Sequence, residues 1–205
     1  KILQYFRLMP DSPIANVGTI WRLKSPMDAM SYASAYLTDG DLAKLKETCG
    51  FLIADDDPEA EDKVASDGLE MWQFKQQFSS KIKKGTYQSL ILLSLINDES
   101  NRRNVWVDGL LHELLNGWTL KRFLSNRTFF TLLAEASPEA FLDFLEGTGK
   151  EIYDVIFTPQ KSHMGLTGWN VYYTDILFAL EMLAWDEDYI YRVTSLLLRF
   201  SSYKN

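Results

Sequence analysis

Apolar residues recur along most of this chain at the spacing of an α-helix. Val107, Leu110, Leu111, Leu114, Leu115 and Trp118 fall at i, i+3, i+4, i+7, i+8 and i+11, on one helical face. Met71, Phe74, Phe78 and Ile82 form a second stripe, and Leu42, Leu45, Cys49 and Leu52 a third. A fourth runs through Tyr189, Val193, Leu196, Leu197 and Phe200, with Arg192, Ser195 and Arg199 on its water side. Alternation of period two is nearly absent, and the turn signals of hairpins are missing. Glu151 to Thr158 could pass for a strand, but one isolated strand does not make a sheet.

The punctuation agrees with helices. Ser25-Pro26, Asp57-Pro58 and Ser137-Pro138 each place a side-chain acceptor before a proline, as an N-cap before the first helical position. Ser25 and Asp28 have the spacing of a capping box, and Asp186 is placed to cap the last helix. Gly50, Gly85, Gly117 and Gly147 lie at or beyond the ends of apolar stripes, where a left-handed cap residue belongs. About ten helices joined by short turns are expected.

One segment points beyond a simple bundle. From Val171 to Trp185 only Thr174, Asp175 and Glu181 are strongly polar. Tyr172, Tyr173, Ile176, Leu177, Leu180, Leu183 and Ala184 form one face; Phe178, Ala179, Met182 and Trp185 form another. A helix apolar on two faces is covered on two sides, so Trp185 is expected to be buried. Tyr87 to Ile96 reads the same way. The predicted fold class is therefore all-α: stacked antiparallel helical pairs in an α-solenoid, a degenerate HEAT- or TPR-like superhelix. No fixed repeat period emerges. Residues 1–205 read as a single helical domain, with a tighter C-terminal part from about 105 to 205.

Composition narrows the classes. The chain has 205 residues, 46% hydrophobic and 14% aromatic, which excludes a disordered chain. No apolar run reaches the roughly 18 residues of a membrane span. The single cysteine, Cys49, excludes an internal disulfide framework. The net charge of −7 is local: residues 55 to 62 hold six acids and no base, and the remainder holds 22 acids against 21 bases. No basic face is implied, so nucleic acid is a poor default partner. Lys81, Lys83 and Lys84 read as cations at the carbonyl end of a helix. The start carries no visible signal peptide, and Lys1 in place of Met suggests a piece of a longer chain.

Candidate chemistry is sparse. His112-Glu113 opens like a zinc-peptidase motif, but the second ligand position is Asn116, so the motif fails. Gly147-Thr148-Gly149-Lys150 lacks the upstream glycine, where Phe144 stands, and the hydroxyl after the lysine, where Glu151 stands; it is a turn between helices. Asp55-Asp56-Asp57-Pro58-Glu59 resembles the magnesium-diphosphate cluster of all-helical isoprenoid synthases. It makes Asp55, Asp56 and Glu59 the alternative metal ligands of a compact Mg-dependent enzyme. Pro58 argues for a solvated turn opening a helix instead. The irregular stretch from Phe157 to Asn170 carries His163, Met164, Leu166 and Trp169, the first choice for a contact surface.

In the C-terminal half, Leu132-Leu133-Ala134-Glu135-Ala136-Ser137-Pro138-Glu139-Ala140-Phe141-Leu142 runs on to Leu145-Glu146. Leu177-Phe178-Ala179-Leu180-Glu181-Met182-Leu183-Ala184-Trp185 then leads to Tyr189 and Leu196-Leu197-Leu198-Arg199. These words resemble the helical-repeat region of large bacterial multidomain proteins, some similar to STAND-type signalling ATPases of the antiviral-defence kind. The resemblance implies an α-helical scaffold or sensor, with ATPase and effector modules elsewhere. It carries over no catalytic residue. The expectation is a non-catalytic, cytoplasmic recognition segment that needs no cofactor and binds protein or other domains of its own chain. Both apolar ends, Ile2 to Phe6 and Tyr189 to Phe200, are expected to support weak self-association.

Overall fold

The computed structural model describes residues 2–61, 76–96, 102–157 and 172–204. Over these residues the chain is mostly helical. It opens with α1 (Ile2–Leu8), a hairpin of β1 (Ile14–Val17) and β2 (Ile20–Leu23), and α2 (Pro26–Ser34). Then come α3 (Asp39–Ile53), α4 (Ser80–Ser94), α5 (Arg103–Leu115) and α6 (Leu120–Asn126). A 3-10 turn at Arg127–Phe129 leads into α7 (Phe130–Ala136), α8 (Pro138–Gly147) and α9 (Lys150–Phe157). The last two helices are α10 (Thr174–Leu183) and α11 (Ile190–Ser201).

Side-chain caps start these helices where the sequence places them. Ser25 and Ser137, each followed by proline, accept from the backbone N–H groups of Asp28 and Ala140. Thr38 and Asp41 make a full capping box before α3, the Asp41 carboxylate accepting from Thr38 N at 3.0 Å. Gly117, at φ +67°, follows the end of α5 in the left-handed conformation that glycine adopts without a Cβ clash. The segment read as a possible strand is α9, and the sequence between Gly147 and Lys150 is the turn before it.

The sequence also misleads in places. Ile14–Val17 pairs antiparallel with Ile20–Leu23, Val17 opposite Ile20, around Gly18-Thr19. Gly18 has φ +66°, as the first central residue of a II′ hairpin turn requires. Neither strand alternates cleanly, because among the eight residues only Ile14 is buried, against Phe6 and Ala29. Gly50 and Gly85 lie inside α3 and α4 rather than at their ends. Asp186 does not cap α11; its side chain accepts from Asp188 N in the preceding turn. The lysine cluster sits in the first turns of α4, opened by Ser79, and not at a carbonyl end.

A short helix organises the core. α7 is seven residues long, yet it packs against α4, α5, α8 and α10. Phe130, Leu133, Ala134 and Ala136 are buried. The Phe130 ring meets Phe123 edge-on at 4.8 Å and Phe141 at 5.6 Å, while Trp118 meets Phe144 at 4.9 Å. Aromatic pairs of this kind each contribute about 0.5–1.5 kcal/mol beyond the area they bury. Around this centre α4 packs on α2 and α5, α5 on α3 and α8, and α11 on α8 and α10. A second, small cluster of Phe6, Ile14 and Ala29 holds α1 and the hairpin to α2.

Trp185 departs most from expectation: it is 88% exposed. α10 ends at Leu183 and turns at Ala184, so Trp185 lies beyond the helix. The buried positions Ile176, Ala179, Leu180 and Leu183 form one face, and Phe178 lies opposite, exposed to solvent. Urea unfolding tests this contrast. Phe130→Ala is expected to lose about 3–5 kcal/mol, and Trp185→Ala to stay within about 0.5 kcal/mol of the parent. Equal losses would contradict the packing described.

Candidate functional site

The acidic run after α3 is a latch rather than an open cluster. Asp55 is buried, and its two carboxylate oxygens accept from the backbone N–H groups of Gln77 and Phe78 at 2.8 and 3.1 Å. The Lys83 ammonium, fully buried, stands 3.4 Å from Asp55 Oδ2 and donates to the Asp55 carbonyl at 3.0 Å. Burial pulls the Lys83 pKa below the usual lysine range, and the Asp55 charge opposes that pull. Asp56 takes two hydrogen bonds from the Arg122 guanidinium, both at 3.2 Å. Asp57 donates its backbone N–H to Ser125 Oγ and accepts from Glu59 N. Asn126 donates to the Ile53 carbonyl at 3.0 Å.

The end of α3 is thereby tied to α4 and α6 by buried polar contacts. Breaking one partner of such a pair typically costs 3–5 kcal/mol. Of the candidate magnesium ligands, Asp55 faces Lys83 and Asp56 faces Arg122, two separate cations of the protein. Among the described residues no three His, Cys, Asp or Glu side chains converge on one point. Cys49, buried between the same helices, has its thiol pKa pushed up to about 12 by burial, so it stays a thiol.

A second polar network joins α5, α8 and α11. Arg192 of α11 binds Glu139, Asp143 and Glu146 of α8. Arg199 donates to the carbonyls of Glu146 and Thr148 at 2.8 and 3.2 Å, satisfying the carbonyl end of α8. His112 of α5 completes the network. Its Nδ1 lies 2.9 Å from the Asp108 carbonyl and its Nε2 2.9 Å from Asp143 Oδ2. Both ring nitrogens face pure acceptors, so both hold protons best as the imidazolium. The Asp108 carbonyl, then Asp143, raise the His112 pKa. Burial works the other way on Asp143, but hydrogen bonds from His112 and Arg192 outweigh it and lower its pKa.

Beside His112 a groove of about 550 Å³ opens between the end of α5 and the α8–α9 turn. Leu115, Trp118, Phe144 and Ile152 line its apolar part; Asn116, Asp143, Thr148 and Glu151 supply polar groups. Pockets that bind ligands combine these two ingredients. Sequence reasoning passed over this place because its glycines, His112 and Glu151 belong to two motifs that failed. The geometry of the turns, and not a motif, brings them together.

The contact surface expected at His163, Met164, Leu166 and Trp169 lies outside the described residues. Large apolar side chains are exposed elsewhere along the chain, Tyr36, Phe51, Leu95 and Val105 among them, and also in its first and last elements. Leu8, Trp21 and Leu23 are exposed at the N-terminal end, and Phe178, Trp185, Tyr191 and Leu198 at the C-terminal end. No helix of the described residues is long and apolar enough to cross a membrane. No family model, curated protein or solved structure matches this chain.

The His112 network makes stability depend on pH. Its folded pKa is raised, so its stabilisation is complete below the unfolded value of about 6.5 and is lost as pH climbs through the folded value. Thermal unfolding from about pH 6 to about pH 8 is expected to show a falling Tm. The fall is small, because the pair is partly exposed and screened by solvent. His112→Gln is expected to flatten this slope; an unchanged slope would show that another group titrates.

Proposed function

We propose that this chain is a non-catalytic helical scaffold that binds a protein segment, within a larger cytoplasmic bacterial protein of the signalling kind. What carries the reading is the order in which the helices pack. One row runs α2–α4–α7–α10, and beside it runs α3–α5–α8–α11. Each of the inner helices α4, α5, α7 and α8 touches its companion in the other row and the next helix of its own row. These contacts support an α-solenoid reading, in which every repeat is completed by its neighbours. The starts of α4, α7 and α10 are 50 and 44 residues apart, so the repeat is degenerate. The likeness to bacterial helical-repeat regions, seen in the leucine-rich words from α7 to α11, fits the same stacking.

The groove beside His112 is the best seat for a bound segment. It is lined by Leu115, Trp118, Phe144 and Ile152 and by the polar groups of Asn116, Asp143, Thr148 and Glu151. Such a groove suits a peptide with a leucine or aromatic anchor and a basic flank. The pairing of Asp55 with Lys83 and of Asp56 with Arg122 weighs against the magnesium-enzyme alternative. Peptides selected from a random display library on this chain should share an apolar-plus-basic pattern. Their affinity is expected to fall by about tenfold or more in Asn116→Arg plus Glu151→Arg, with the helical signal intact. Ligands indifferent to these changes would overturn the assignment of the groove. A magnesium-induced rise of several degrees in Tm, lost in Glu59→Gln, would favour the enzyme instead.

A further inference from the structure

We propose that copies of this chain associate head to tail, the C-terminal surface of one seating on the N-terminal surface of the next. Two surfaces with matching character and opposite charge point to this. At the C-terminal end α10 buries one face against α7, and its opposite face shows Phe178 to solvent. Trp185, just beyond it, is 88% exposed. On α11, Tyr191 at 83% and Leu198 point away from the buried Val193, Leu196 and Phe200. Between Thr174 and Tyr191 the chain has no Lys or Arg, while the same stretch carries the exposed acids Glu181, Asp186, Glu187 and Asp188. The arginines of α11 do not balance them, because Arg192 and Arg199 are turned to α8 and bound there.

The other end has the complementary make-up. Leu8 is 86% exposed, and Trp21 and Leu23 stand out from β2. Arg7 lies over the Trp21 ring at 5.2 Å, and Arg22 and Lys24 flank Leu23. Neither Arg22 nor Lys24 forms an ion pair among the described residues. Asp11 and Asp28 leave this end with a positive balance. Exposed apolar residues gathered in a patch mark contact sites, and opposite charge around two such patches fixes which meets which. Like-with-like pairing of the C-terminal ends would bring two acidic rims together. A joint between two different surfaces does not close on itself as a symmetric dimer does, so it builds open chains or rings.

Sedimentation velocity on the 205-residue chain at low ionic strength is the test. The weight-average mass is expected to rise with concentration past that of a dimer, and to fall on adding salt. Arg22→Glu plus Lys24→Glu should be monomeric, and so should Asp186→Lys plus Asp188→Lys. Mixing these two charge-reversed chains should restore association, because each then offers the other an opposite charge. Leu8→Ser and Trp185→Ser, both at exposed positions, give a second reading that leaves the charges alone. Each should be monomeric, and their mixture should stop at a dimer with one good joint. A parent chain monomeric at several hundred micromolar overturns the proposal. So does a mass that levels off at a dimer and ignores the N-terminal changes, or a mixture that stays monomeric.

Discussion

The structure depends on covering α7 from all sides. A seven-residue helix has too few internal hydrogen bonds to persist alone. Its stability comes from burial of Phe130, Leu133, Ala134 and Ala136 among α4, α5, α8 and α10. Removing any of these four leaves α7 with an open apolar side. The requirement sets the order of packing: α4 lies on one side of α7 and α10 on another, while α5 and α8 close the flank. The aromatic contacts of Trp118, Phe123, Phe141 and Phe144 fill the space that this arrangement leaves.

Polar groups do different work at the two levels of this stack. The buried Lys83–Asp55 pair and the part-buried Arg122–Asp56 pair hold an acidic turn that buries little apolar surface of its own beyond Ala60. Buried ion pairs add little net stability over apolar contacts, but their directions are specific. Here they fix where α3 ends relative to α4 and α6. At the surface, Arg192 and His112 gather carboxylates from one helix and hold it to two others. The groove beside that network is left open, and apolar side chains of the first and last elements are left exposed.

The helices were legible because their stripes and caps agree. Val107, Leu110, Leu111 and Leu115 are buried as the i, i+3, i+4 spacing implies, and Ser25 and Ser137 cap the helices they precede. The hairpin was not legible, because with one buried residue in eight it leaves no alternation to read. Trp185 was misplaced because an apolar residue in helical register gives no sign of where the helix stops. The acidic run reads from sequence as a solvated turn, with a metal cluster as the alternative, because sequence shows charge and spacing but not the partners that bury Asp55 and Asp57. Lys83, 28 residues from Asp55, and Arg122, 66 residues from Asp56, come close only through the fold. The groove has no signature at all, since its lining comes from three helices and the turns between them.

Native-state hydrogen exchange across the chain tests the organising role of α7 most directly. If the account is right, the amides of α7 exchange only through global unfolding, and share the highest protection with the cores of α4, α5, α8 and α10. The hairpin and α1, held by a cluster of three buried residues, should open far more readily. Amides of α7 that exchange as fast as those of the hairpin, or a stack that opens in two independent halves on either side of α7, would contradict it.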